Sequence, residues 1–355
     1  MAAIRARWIT SVILLSVFCH TGLSSYWWFL GTSSVYQSTV DLKTYNFKEK
    51  CQQLNYLIQK QKDLCGISHN ILAAVSKGAA MGIDECKYQF QTRRWNCTTF
   101  NETSVFGGVL NINSREKSYI YAISSGGVEH EITKACAKGD INECGCDDSV
   151  RSLPTKDKWE WGGCSQDIRY GEKFSKEFTD SKENSRARDG MMNLHNNEAG
   201  RRSIRSTMKI VCKCHGVSGS CSIKVCWRKM SDFRRIGSML KQRFDGATLV
   251  DLNKRRTRLR PKTKGQKQPT KKDLVYLEES PDFCEYDPTI GSLGTRHREC
   301  NRTSYGIDGC RLMCCGRGYH TMVEQVTEDC DCKFFWCCEV RCRKCTQMVD
   351  KNYCN

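Results

Sequence analysis

Cys212–Trp227 reads CKCHGVSGSCSIKVCW, and its four cysteines within fifteen residues decide how the surrounding chain is built. Paired in a nested manner, Cys212 with Cys226 and Cys214 with Cys221, they close a hairpin over 212–226 whose tip is His215–Ser220. Gly216 and Gly219 permit a tight turn there. A tip this small encloses no core, so Ser218 and Ser220 present their hydroxyls to solvent on a rigid stalk. An exposed hydroxyl between two flexible glycines suits a modifying enzyme that must enclose the loop. Gly216-Val217-Ser218-Gly219 also comes close to a nucleophile elbow, but Ser220 replaces the fifth glycine and no strand-to-helix context is visible. A stapled hairpin is a poor place to hold a His and an Asp in register with a Ser, so hydrolase chemistry is not expected and the chain is read as a non-enzyme.

Working outward, the chain has 355 residues, Lys+Arg 56 against Asp+Glu 39, and 25 Cys. At about 150 residues per domain this length suggests two domains. So many thiols fit the secretory pathway, where they pair with one another. The N-terminus agrees: Arg5 and Arg7 precede the apolar run Trp8–Phe18, and Gly22 and Ser24 sit at the small-residue positions of a cleavage site, so 1–24 is expected to be a signal peptide. Its removal takes Cys19 and leaves 24 cysteines, twelve from Cys51 to Cys226 and twelve from Cys284 to Cys354. The boundary is placed in the gap between the clusters.

Residues 25–248 read as a helical domain. Ser68 is positioned to cap a helix with the stripe Ile71, Leu72, Val75, Ala79, Ile83 and Cys86, and Ser114 to cap one with Ile120, Ile123, Val128 and Ile132. Further helical patterns run over Ser165–Ser181 and Ala187–Val211; Gly127 and Gly190, inside such patterns, suggest close helix packing. Residues 249–283 read as a basic linker: Asn253–Lys272 holds ten Lys or Arg and no acid, which predicts an extended, mobile segment. Residues 284–355 carry too few apolar residues for a core and read as a cystine-rich scaffold of loops and β-hairpins. The whole is an α+β, disulfide-rich fold.

His195 and Glu198 on one helical pattern are better explained as a buried hydrogen-bonding network than as a metal site, because no further ligands lie nearby. Zinc is likewise not expected, since only Cys342 and Cys345 have chelating x₂ spacing. Asn96, Asn101 and Asn301 head glycosylation sequons. Lys254, Arg255, Arg256, Arg258 and Arg260 are candidates to bind a sulfated polyanion such as heparan sulfate by counterion release; nucleic acid is not a partner for a secreted chain.

ECKYQF and RRWNC (Glu85–Phe90, Arg93–Cys97), CGCDD (Cys144–Asp148), WGGCS (Trp161–Ser165), MNLHNNEAGR (Met192–Arg201), the hairpin segment, DLVYLEESPDFC (Asp273–Cys284), CCGRG (Cys314–Gly318) and CDCKFFWCCEVRC (Cys330–Cys342) follow in the order found in the Wnt secreted signalling glycoproteins. The chain resembles that family over most of its mature length. SPDFCE, GTRHREC and YGIDGC resemble its fourth subfamily most. Residues 26–50 match no family motif, and Phe335 stands where the family usually has His.

The resemblance implies that Ser218 carries a monounsaturated fatty acyl group added by a membrane O-acyltransferase. It also implies a Wntless-type carrier, a Frizzled-type receptor gripped through its cysteine-rich domain, and a low-density-lipoprotein-receptor-related co-receptor. His215, Gly216, Val217, Ser218 and Gly219 would contact the receptor at one tip. Phe334, Phe335, Trp336, Cys337 and Cys338 would do so at a second hairpin, closed by Cys330–Cys345 and Cys332–Cys342, with Cys337 and Cys338 forming a vicinal disulfide. Cys51 and Cys65 look like a pair found in some members. The remaining cysteines (Cys86, Cys97, Cys136, Cys144, Cys146, Cys164, Cys284, Cys300, Cys310, Cys314, Cys315, Cys354) are all expected in disulfides. The rival reading is an extracellular-matrix protein that binds heparan sulfate without signalling.

Overall fold

The computed structural model describes residues 27–32, 47–98, 105–155, 159–217, 220–336 and 339–355. The expected signal peptide, 1–24, and Cys19 within it lie outside the described residues. A 3₁₀ turn at Trp27–Gly31 buries Trp27, Trp28 and Leu30, so the stretch that matched no motif contributes to the main core. Helices α1 (Phe47–Gln53) and α2 (Gln59–Cys65) are stapled together by Cys51–Cys65.

Helix α3 (His69–Phe90) starts where the Ser68 hydroxyl accepts from the Ile71 N–H at 3.2 Å, and its expected stripe is buried. In α4 (Arg115–Lys138), Ser114 is at the cap position, but its hydroxyl makes no capping hydrogen bond and has no partner among the described residues. Most of α4 is buried, because α3, α5 (Ile168–Thr179), α6 (Arg188–Ser206) and α7 (Phe233–Asp245) all lie against it. Gly78 and Gly127 make the α3–α4 crossing possible: a Cβ on Gly127 would sit 2.3 Å from the Gly78 carbonyl oxygen. Gly190 has a different cause, since it presses on Asn184 of the preceding turn and not on another helix.

Two expectations are corrected. The fourth helical pattern stops at Ser206, and Lys209–His215 is a strand, because Ile210 and Val211 begin a cross-strand ladder with Arg228 and Trp227. The basic segment is folded, not an extended linker. Strand β4 (Thr248–Leu252) pairs antiparallel with β5 (Leu259–Pro261) and parallel with β6 (Val275–Tyr276). The Asn253 side-chain oxygen accepts from the N–H groups of Thr257 (2.7 Å) and Arg258 (3.1 Å), closing the turn. Val250, Val275 and Leu277 supply the buried apolar contacts that the charged stretch lacks.

Helix α6 holds this sheet through the network expected around His195. Asn196 donates to the Val275 carbonyl (2.9 Å) and accepts from its N–H (3.0 Å), while His195 Nε2 lies 2.9 Å from the Asp273 carbonyl oxygen. Burial lowers the His195 pKa, which keeps the ring neutral. On the opposite side, Asp180 accepts from Asn197 (2.9 Å) and from the buried Arg201 guanidinium (2.9 and 3.0 Å).

In the C-terminal half, β7 (Tyr286–Asp287), β8 (Ser292–Leu293), β9 (Glu299–Cys300) and the short helix α8 (Cys310–Met313) form the base of a long ribbon, β10 (Tyr319–Phe335) with β11 (Glu339–Cys354). Its core is Cys300, Cys310, Met313, Cys314 and Cys354, a cluster made almost entirely of half-cystines. Among the described residues Cys284–Cys315, Cys300–Cys310 and Cys314–Cys354 fasten this base. Cys86–Cys97, Cys136–Cys144 and Cys146–Cys164 fasten the helical half.

Glu129 on α4 is fully buried, and among the described residues neither of its carboxylate oxygens has a hydrogen-bond partner. Burial, and then the Glu172 charge, push its pKa well above the usual carboxylate value, against the pull of Arg201 and Arg205. The unfolded chain ionises first, so wild-type stability falls as pH rises above the unfolded pKa, by up to about 1.4 kcal/mol per pH unit until the folded pKa is reached. Glu129→Gln is expected to raise the unfolding midpoint at pH 7.4 and leave it nearly unchanged at pH 4. Equal shifts at both pH values would show that ionisation is not the cause.

Candidate functional site: two hairpin tips and a basic turn

Strand β2 (Lys209–His215) pairs antiparallel with β3 (Ile223–Lys229), in register from Lys209↔Lys229 to His215↔Ile223. Cys212 faces Cys226 across the ladder with Cα atoms 4.0 Å apart, and Cys214–Cys221 closes the loop at 4.5 Å. Both pairs are those expected from the nested spacing. His215, Gly216 and Ser220 are exposed, and Val217 is 88% exposed, so the described part of the tip packs on nothing. Ser218 and Gly219 lie outside the described residues.

The brace of this hairpin is not evident from the sequence. Strand β1 (Glu160–Trp161) runs parallel beside β3, and the WGGCS segment continues the contact. Gly162 N–H donates to the Cys226 carbonyl (3.0 Å), and Arg228 N–H donates to the Ser165 hydroxyl (3.1 Å). Gln166 donates through its N–H to the Arg228 carbonyl (3.0 Å) and accepts from Met230 N–H (2.7 Å). Cys146–Cys164 ties the brace to the helical half. Two of these bonds join main chain to main chain and two end on the side-chain oxygens of Ser165 and Gln166, all across more than sixty positions, for which the sequence carries no periodic signal; the cue available was the paired glycines beside a cysteine.

The second tip ends the β10–β11 ribbon. Cys330–Cys345 and Cys332–Cys342 cross it as expected, with a register shift between Cys330 and Lys333 and Asp331 at a φ of 48°. Phe334 is 72% and Trp336 94% exposed, so neither folds back as core. Phe335 is held under the Arg341 guanidinium, 5.0 Å from ring centroid to carbon. Cys337 and Cys338 lie outside the described residues.

Lys254, Arg255, Arg256, Arg258 and Arg260 are all exposed on the β4–β5 turn, and among the described residues none has a carboxylate partner. Asn301 is exposed, its side-chain oxygen accepting from Thr303, and Asn96 is half-buried beside the Cys86–Cys97 bridge. Asn101 lies outside the described residues. The sulfurs of Cys300, Cys314 and Cys354 are within 4.8 Å of one another, but all three are committed to disulfides.

A family model described as the Wnt family matches residues 53–355. Protein Wnt-5a of Xenopus laevis is 45% identical, covering 97% of this chain and 92% of that protein. Human Wnt-5a is also 45% identical over 92% of this chain and 88% of its own length, and Wnt-5b of Danio rerio is 43% identical over 92% of both. These relatives carry the names Wnt-5a and Wnt-5b and not that of the fourth subfamily. Among solved structures, a complex of human WLS with WNT8A aligns at a TM-score of 0.59 and 38% identity, covering 81% of this chain and 95% of that one.

A Cβ on Gly216 would lie 2.3 Å from both the Ser220 carbonyl and its hydroxyl oxygen, so Gly216→Ala must open the tip that the Ser220 N–H to Val217 carbonyl bond (3.2 Å) closes. Hydrogen exchange at the Ser220 amide is expected to accelerate about tenfold or more, corresponding to about 1.4 kcal/mol, while exchange in α3 and α4 stays unchanged. Unaltered exchange at Ser220 would show that the tip has room for the methyl group.

Proposed function

The chain belongs to the Wnt family and is a secreted signalling ligand of that kind, and from this premise we propose that it grips a Frizzled-type receptor cysteine-rich domain with both hairpin tips. One observation carries the reading: two cystine-stapled hairpins end in side chains that pack on nothing, Val217 beside Ser218 on one and Phe334 and Trp336 on the other. Large apolar side chains held out on stiff supports cost little conformational entropy on docking and belong in a partner's surface.

Ser218 is the residue for the acyl group. Each CH₂ buried in a receptor groove contributes about 0.8 kcal/mol, so a single chain supplies much of the affinity and makes the free ligand poorly soluble. That solubility problem is the physical reason for a carrier, and the WLS complex of the structurally similar WNT8A supports a Wntless-type one. A membrane O-acyltransferase would load the serine before export, and a low-density-lipoprotein-receptor-related co-receptor would engage surfaces away from the tips.

Mass spectrometry of the peptide pair bridged by Cys214–Cys221 should find a monounsaturated acyl group on Ser218 and none on Ser220. Ser218→Ala is expected to abolish carrier-dependent secretion and receptor activation, and Trp336→Ala to weaken receptor binding by about 2 kcal/mol or more with normal secretion. An unmodified Ser218 in a chain that activates no receptor would instead favour the matrix-protein reading, and full signalling by Ser218→Ala would overturn the role given to Ser218.

Heparan sulfate is the partner for the basic turn, where Lys254, Arg255, Arg256, Arg258 and Arg260 carry unpaired charge on a hydrogen-bonded frame. Reversing the charges of Arg255, Arg256, Arg258 and Arg260 should lower the salt needed to elute the protein from heparin and flatten the dependence of binding on ionic strength. An unchanged elution position would reduce the turn to a solvated surface feature.

A further inference from the structure

The helical and cystine-rich halves meet along a seam that is incompletely filled. An open cleft of about 490 Å³ runs along it, lined by Phe90, Trp95 and Phe244 on one side and Ile307 and Leu312 on the other. Loose apolar packing does not fix an angle between two bodies, because it lacks the interlocking that makes protein interiors stiff. What crosses the seam with direction is a pair of arginines, each donating into the other half. Arg298 donates to the carbonyls of Arg94 (2.5 Å), Arg93 (2.7 Å) and Gln91 (3.1 Å). Arg94 in turn donates to the Leu312 carbonyl (3.0 and 2.6 Å) and the Asp282 carbonyl (3.4 Å).

Both ends of this clasp are rigid. Arg93 and Arg94 lie in the loop closed by Cys86–Cys97, just past the end of α3, where free carbonyls favour a cation. The Arg298 carbonyl accepts from Cys354 N–H (3.0 Å), and Cys300–Cys310 and Cys314–Cys354 fasten its surroundings to the root of the ribbon. A second contact, the turn Gly107–Asn111 against Thr289–Gly291, would act by itself as a pivot. The lever is long: β10 has 17 residues, at roughly 3.3 Å each about 55 Å, so a swing of about 10° at the root moves the far tip by roughly 10 Å.

We propose that Arg94 and Arg298 are positioning residues for the receptor grip: their crossed bonds set the separation of the two tips and hence the effective concentration at which the second tip docks once the first has bound. The inference rests on the two-tip reading above. A ligand whose tips are held at the correct span gains affinity without any new contact and loses it when the span wanders.

The test is a double-mutant cycle on the full acylated chain. Arg94→Lys with Arg298→Lys keeps both charges but loses the multidentate geometry, and it is measured with and without Trp336→Ala against an immobilised Frizzled-type cysteine-rich domain. Arg94→Lys alone serves if the pair is poorly secreted. The clasp variant should weaken binding about tenfold or more in the intact chain and less than about twofold in the Trp336→Ala background, where the second tip no longer depends on placement. Equal loss in both backgrounds, or none in the intact chain, overturns the positioning role and leaves the two-tip reading standing. No effect of Trp336→Ala itself overturns both.

Discussion

The two hairpin tips hang on strands that have no core beneath them, so their geometry has to be covalent. The Cys212–Cys226 and Cys332–Cys342 pairs each hold opposing strands at a Cα separation of 4.0 Å, with Cys214–Cys221 and Cys330–Cys345 as the second fastening of each nested set. An isolated two-stranded hairpin is marginal in water. Cross-linking removes conformations from the unfolded chain and leaves the surface composition free. That freedom is why the ends of these hairpins can carry Val217, Phe334 and Trp336 in water without a fold that would otherwise bury them.

The helical half supplies a fixed platform by the opposite means. Helix α4 is buried on nearly every face, and its contact with α3 at Gly78 and Gly127 brings two backbones close enough that no side chain intervenes. Polar side chains then do the positioning. Asn196 completes the ladder of β6, and Arg201 and Asn197 share Asp180. The basic turn on β4 and β5 thus stands on a buried amide of α6 and on the small cluster of Val250, Val275 and Leu277, which explains how a stretch with ten cationic residues and so few apolar ones keeps a defined shape.

Local features were legible from the chain, and those set by long-range polar contacts were not. The Ser68 cap, the buried stripe of α3 and the nested cystines of both hairpins each follow from spacing within a few residues, where periodicity or loop size constrains the answer. The fold of 249–283 depends on Asn196 reaching Val275, almost eighty positions away, and on Val250 and Leu277 at the margins of the charged run; composition alone points the wrong way there. The end of α6 was missed because Ile210 and Val211 fit a helical stripe as well as a strand, until Trp227 and Arg228 are known to lie opposite. The brace from Gly162 to Gln166 and the arginine clasp share one reason for being hidden: polar bonds between groups far apart in the chain leave no mark on the hydrophobic pattern.

Arginine at the seam follows from the composition of the smaller half. A region whose core is mainly half-cystine has little apolar surface to offer a neighbour, and the open cleft lined by Leu312 shows how little is matched across it. Backbone carbonyls, in contrast, are available on any loop, and the turn after α3 presents several that its own helix cannot satisfy. A guanidinium with five donors in one plane can take three of them at once, as Arg298 does, and such bonds weaken steeply with misalignment. The contact therefore specifies an angle where an apolar patch of the same size would specify only proximity. A molecule that must present two distant tips to one partner needs the former.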